Sequence, residues 1–227
     1  MFFSCKKEEK LTFSEIQITT KNNTIVEVFI PKASGNKLAS ESINTEIESF
    51  VAATLVVGKT KINSQASSIT KQIETFNEEY TNFTKDFPEA SQIWEAQIDG
   101  EIIFQSTEIV SIAITSYLNT GGAHGNTSIS FLNFDTATGK RILNENLFTD
   151  IEAFKHIAKT YFDEEVKDKP ILFESESYTL PENIGFSEEG LILLYNTYEI
   201  APYVTGIIEF TIPFEKANDY LVFDSLQ

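Results

Sequence analysis

The sequence predicts an α+β fold in which antiparallel β-sheets carry three main helices packed on them. Three observations lead there. Two early segments repeat their apolar residues at the helical period of 3.6, and between residues 92 and 134 the period drops to two over four consecutive runs, the pattern of an antiparallel meander. With 41% hydrophobic residues and 19 Phe among 227, the chain also holds enough apolar side chain to fold unaided.

The elements follow in order. Glu15–Thr19 and Thr24–Pro31 alternate on either side of Lys21, Asn22 and Asn23, which predicts a hairpin. After a turn at Ser34-Gly35-Asn36, residues Leu38, Ile43, Ile47, Phe50, Val51 and Leu55 share one helical face, predicting an amphipathic helix that ends near Gly58. A second helix is written by Ile69, Ile73, Phe76, Tyr80, Phe83 and Phe87, with Ser67 or Ser68 as N-cap and Pro88 as its stop. Its aromatic stripe reads as core, because aromatic rings supply the largest buried area per residue.

The four period-two runs are Gln92–Ile98, Glu101–Gln105, Glu108–Tyr117 and Thr127–Phe134. Asp99-Gly100 predicts a tight hairpin turn between the first two, since such a pair readily takes positive φ angles, and the Gly-rich segment Asn119–Asn126 joins the last two. Thr136–Lys140 is then a turn and a candidate seam between lobes. Thr149 or Asp150 caps a third helix that runs to about Val166. Gly190–Asn196 and Gly206–Ile212 are further strands, and a short terminal helix begins at Pro213. The expected organisation is a tether over residues 1–12, an N-terminal lobe over 13–135 and a C-terminal lobe over 136–227, integrated with the first.

Charge narrows the function. Seventeen basic residues against 34 acidic ones leave −17, which repels a nucleic-acid backbone and an anionic lipid surface. The same charge keeps a protein soluble and steers a cationic partner towards it. The single cysteine, Cys5, excludes an internal disulfide and any multi-thiolate metal cluster. It follows Phe2, Phe3 and Ser4 and precedes the charged run from Lys6 to Lys10, resembling the end of a bacterial lipoprotein signal with Cys5 as the lipidated anchor. The charged and apolar regions of a complete signal are missing from the four residues before it, so this reading expects a start further upstream; the other reading is a free thiol near the N-terminus. The stretch Ile109–Phe134 is uncharged but broken by Ser, Thr, Asn and Gly, and reads as strands and a loop rather than a membrane span.

Catalytic patterns are missing. There is no Gly-x-Ser-x-Gly, no phosphate-binding Gly-rich loop, no EF-hand and no His-x-x-x-His spacing, so neither a cofactor nor a metal is expected and the chain reads as a non-enzyme. His156 on the third helix reads as structural. His124, within Gly121-Gly122-Ala123-His124-Gly125-Asn126, is the more interesting histidine, because glycines permit close backbone approach.

Three segments together carry a family resemblance: Tyr117–Asn126 (YLNTGGAHGN), Phe134–Phe148 (FDTATGKRILNENLF) and Leu191–Phe214 (LILLYNTYEIAPYVTGIIEFTIPF). They resemble the extracytoplasmic domain shared by RsiV-type anti-sigma factors and the N-terminal region of PdaC-type peptidoglycan deacetylases, over roughly residues 12–222. The first lobe is PdaC-like and the second RsiV-like. The resemblance implies a non-catalytic domain outside the cytoplasm which in RsiV-type proteins recognises lysozyme. A cationic protein such as lysozyme, or cell-wall glycan, is therefore the expected partner of a lipid-anchored envelope protein. The candidate ligand-binding residues are Tyr117, His124, Asn126, Tyr195, Tyr198, Glu199 and Tyr203. Tyr195, Tyr198 and Tyr203 offer amphipathic rings for contact, but for Tyr198 and Tyr203 the favoured reading is rings closing the core with their hydroxyls in water, whereas His124 is favoured as a contact residue. Two other classes stay open, a peptidoglycan hydrolase working through acidic residues and a purely structural envelope protein.

Overall fold

The computed structural model describes residues 10–57, 68–90, 92–168, 172–174 and 178–223. Cys5, Gly58 and Ser67 lie outside the described residues. Within them the chain is α+β, with nine strands in two sheets and four α-helices. Three helices are long, as expected; the fourth is a single turn, Phe214–Ala217, at the site of the predicted terminal helix.

The first sheet has six strands in sequence order: β1 (Thr12–Gln17), β2 (Val26–Ser34), β3 (Glu95–Gln105), β4 (Ile109–Asn119), β5 (Asn126–Asp135) and β6 (Arg141–Ile142). All neighbours are antiparallel except β2 and β3. A parallel pair needs a crossover, and here it consists of α1 (Lys37–Thr54) and α2 (Ile69–Asp86). Asn36 and Ser68 cap these helices through their side chains, accepting from the N–H groups of Ala39 and Lys71. The buried line of α1 runs through Ala39, Ile43, Ile47 and Val51, spaced by four; Leu38 sits about a quarter-turn off that line and is 69% exposed, contrary to its expected inward position. On α2, Phe76, Tyr80 and Phe83 surround Trp94 with ring centroids 5.3–5.9 Å away.

The expected hairpin at Asp99-Gly100 does not form. β3 runs straight through it, pairing with β2 on one side up to Asp99 and with β4 along its length on the other. Partners on both sides outweigh a local turn preference. Gly100 is needed for a different reason, since a Cβ there would lie 2.6 Å from Pro31 Cδ as β2 passes. A bulge between Ile102 and Phe104 then shifts the phase of β3. Ala96 and Ile98 face the helices, whereas Phe104 beyond the bulge enters a second core.

That second core belongs to α3 (Ile151–Glu165) and a three-stranded antiparallel sheet of β7 (Asn183–Phe186), β8 (Gly190–Tyr195) and β9 (Ile208–Pro213), followed by α4 (Phe214–Ala217). Strand β7 was not anticipated. It is an edge strand, and its outer edge rests on β4 and β5. There the Ser111 hydroxyl accepts from Phe186 N–H at 3.1 Å and the Asn133 amide donates to the Ile184 carbonyl at 2.7 Å. A buried strand edge needs such partners, which is why Ser111 and Asn133 are polar residues with almost no exposure. The 136–140 turn docks on the start of α1. Gly139, at φ 70°, leaves no room for a Cβ, which would fall 2.1 Å from the Ala39 carbonyl oxygen.

Candidate functional site

The loop between β4 and β5 meets the turn between β8 and β9. The loop is held from beneath: Asn119 Oδ1 accepts from Gly121 N–H at 3.2 Å, and Gln92 Nε2 donates to the Gly122 carbonyl at 3.1 Å. Gly121 takes φ 89° beside Trp94. Gly125 lies flat on the Tyr117 ring, where a Cβ would come within 2.3 Å of the ring atoms. Tyr117 is therefore a platform beneath the loop rather than a free contact residue.

The turn is bound to β5 by a residue the motifs did not single out. The Asn196 amide donates to the Ile129 carbonyl at 2.9 Å and accepts from the Ile129 N–H at 2.8 Å. Ile129 pairs with β4 on its other side, so Asn196 fills the place of a missing neighbour strand. Its neighbour Thr197 donates to Asn126 Oδ1 at 3.0 Å. An Asn at the end of a strand is the only sequence signal for this clamp, and many turns carry one.

Above the clamp three rings line up. His124 stacks on Tyr203 with centroids 3.8 Å apart and 22° between planes, and Tyr203 lies 5.6 Å from Tyr198. The Tyr203 hydroxyl donates to the Gly125 carbonyl at 3.4 Å. His124 Nδ1 lies 2.9 Å from the same carbonyl, which only accepts, so Nδ1 donates to it. Tyr198 is 55% exposed and Val204, beside Tyr203, is 86% exposed. Together they form an aromatic and apolar tip.

Among the described residues Tyr198 is the non-glycine residue held at positive φ, 70°, a conformation that costs about 1–2 kcal/mol for an L-residue. Such strain persists only where the surroundings impose it, and it gathers at functional sites. Here Glu199 imposes it: its carboxylate accepts from Asn196 N–H at 2.9 Å and from Glu182 N–H at 3.3 Å, closing the turn. Partial burial raises the Glu199 carboxyl above the ordinary carboxylate range, opposed by those two N–H groups. Tyr195 behaves differently from the other candidates. It is 1% exposed, its hydroxyl donates to the Thr179 carbonyl, and burial pushes its pKa far above the ordinary phenol value. It is a wall of the interior and offers no surface to a large partner.

The structure thus brings His124, Asn126, Tyr198 and Tyr203 onto one face, with Tyr117 and Glu199 supporting it. His156 is exposed on α3. Among the described residues no group of three or more His, Cys, Asp or Glu side chains is placed to hold a metal ion, and no helix is long and apolar enough to cross a membrane.

Residues 18–127 match the family described as Deacetylase PdaC, and residues 135–215 match the protein family of unknown function DUF3298. The chain carries the two segments that its motifs resembled, and the aromatic face is built from both. A DUF3298-family crystal structure from Bacteroides fragilis is 18% identical, covers 96% of each chain and superposes with a TM-score of 0.62. A second, from Pseudomonas aeruginosa, is 17% identical over 94% of each chain with a TM-score of 0.61. At these identities the likeness concerns the fold. No curated protein matches the chain.

Proposed function

We infer that a PdaC-type segment followed by a DUF3298 segment here makes a non-catalytic binding domain of the cell envelope. Its contact face is the meeting of the 121–126 loop with the 196–204 turn. One observation carries this reading: His124 and Tyr203, far apart in sequence, stack 3.8 Å apart beside exposed Tyr198 and Val204 on a strained, clamped turn. Rigid aromatic residues bind at low entropic cost and are enriched where partners are held tightly. Strain at a solvent-facing turn brings no stability of its own, which favours a role in contact over a role in packing.

The partner proposed is a cationic protein, with a lysozyme as the ligand that the RsiV-type resemblance suggests. A charge of −17 supplies attraction at long range, and the aromatic tip supplies contact. Pull-down of lysozyme by the purified chain at low and moderate salt tests this. Association that weakens with salt and is lost in Tyr203→Ala supports it; no association at micromolar protein rules out that ligand. The accompanying envelope address, a lipid anchor on Cys5, is tested by mass spectrometry of the mature protein, where an acylated Cys5 supports the anchor and an unmodified N-terminal segment removes it.

A further inference from the structure

A separate cavity of about 290 Å³ opens where the C-terminal half of α3, residues 172–174 with Tyr178 and Thr179, and the turn after β8 meet. Its walls are aromatic. Phe162 stands 5.0 Å from the Tyr178 ring and 5.6 Å from the Tyr195 ring, and Leu172, Phe173 and Ile200 complete the apolar lining. The polar side chains of the lining are Glu174, Thr179, Glu199 and the two tyrosines. The Tyr195 hydroxyl donates to the Thr179 carbonyl and lies beside the buried Tyr178 hydroxyl, which makes no well-aligned hydrogen bond and keeps an oxygen lone pair to accept one. Glu199 places its carboxylate at the rim, where two backbone N–H groups occupy only part of its accepting capacity. Among the described lining residues there is no Lys, Arg or His.

We propose that this cavity receives a primary ammonium group on a short aliphatic stem, the chemistry of a lysine side chain or of a free diamine. Aromatic faces attract a cation through their negative quadrupole, and apolar walls accept its methylene stem. Glu199 provides the opposite charge and the Tyr178 oxygen an acceptor for one of the three ammonium N–H groups. Other ligands fit less well. A sugar would bring several hydroxyls against Phe173 and Ile200 with little to bond them, and an anion would meet Glu199 in a protein already strongly negative. A purely apolar ligand would leave the Tyr178 hydroxyl unsatisfied and Glu199 uncompensated. Burial already raises the Glu199 carboxyl, and a bound cation would relieve that cost.

The cavity shares Glu199 with the turn that carries the aromatic face, but His124 and Tyr203 are not among its described lining residues, so Tyr178→Phe tests the cavity apart from that face. The full chain is titrated, with binding followed by NMR, against Nα-acetyl-lysine amide, cadaverine and Nα-acetyl-norleucine amide, the last having the lysine stem without the ammonium. Both amines should bind at least about tenfold more tightly than the norleucine derivative. Preference for the lysine derivative identifies a protein side chain as the source, and preference for cadaverine a free amine. Glu199→Gln should weaken amine binding about tenfold, and Tyr178→Phe, which keeps the ring and so the wall, about threefold or more. Equal binding of the norleucine derivative, no binding of either amine, or affinity unchanged in both variants overturns the proposal.

Discussion

Replacing Asn196 by alanine should loosen the turn that carries the aromatic face. The substitution removes two hydrogen bonds to Ile129, at 2.8 and 2.9 Å, and leaves that residue's N–H and C=O facing outward from β5 without partners. A net hydrogen bond is worth about 1 kcal/mol, and a partly buried group left unpaired costs somewhat more, so the expected loss is about 2–3 kcal/mol. For a chain of this size 1 kcal/mol moves Tm by about 2–4 °C, so Asn196→Ala should melt about 4–12 °C lower. Differential scanning calorimetry on the full chain measures it. Asn196→Asp sharpens the test, because it keeps an acceptor for the Ile129 N–H but sets a carboxylate against the Ile129 carbonyl. It should be no more stable than the alanine variant. A shift below about 2 °C for alanine, or full recovery with aspartate, would refute the clamp.

Other outcomes follow from the same geometry. His124→Ala should weaken lysozyme binding tenfold or more, about 1.4 kcal/mol, while leaving the melting temperature within about 2 °C of the parent, as read by calorimetric titration and thermal melting. Gly139→Ala should lower stability by about 3 kcal/mol or more, because it forces a side chain into φ 70° and into the Ala39 carbonyl; a melt within about 2 °C of wild type would contradict that packing. Asn133→Leu should cost about 1–3 kcal/mol, since it strands the Ile184 carbonyl against β5, measured by urea unfolding. Glu209 is raised above its ordinary 4.5, first by burial and then by Glu165, so its folded form holds a proton more tightly than its unfolded form. That contribution to stability is fully present below pH 4.5 and lost as pH rises through the folded value. Glu209→Gln should accordingly stabilise at neutral pH and lose its advantage in acid, as melts across that range would show.

Several elements were legible because they are local. The i, i+4 line of Ile43, Ile47 and Val51, the caps Ser68 and Asp150 and the Pro88 stop each reflect a preference that acts within a few residues. The alternation of β4 was legible for the same reason. Asp99-Gly100 misled because its preference is equally local, whereas β3 is defined by partners on both sides. Leu38 misled because a broad apolar stripe does not say which line of it meets the sheet. Strand β7 carries a single glycine and two apolar residues, and its outer edge is satisfied by Ser111 and Asn133, more than seventy and fifty positions away.

The candidate face divides in the same manner. The motifs alone pointed to His124, Asn126, Tyr198 and Tyr203, because glycines and tyrosines in turns announce themselves by composition. Nothing in them said that a ring at 124 would stack on a ring at 203, or that Asn196 would hold the two turns together, since side-chain pairing across strands depends on register and sheet edges. The sequence by itself determined the fold class, the helices, the strong negative charge and the residues at the tips of the two turns, all properties of composition and short-range periodicity. Only the tertiary structure decided which turns meet, which tyrosine is wall and which is surface, and where a cavity opens, because those depend on contacts between segments that chain connectivity leaves free to choose.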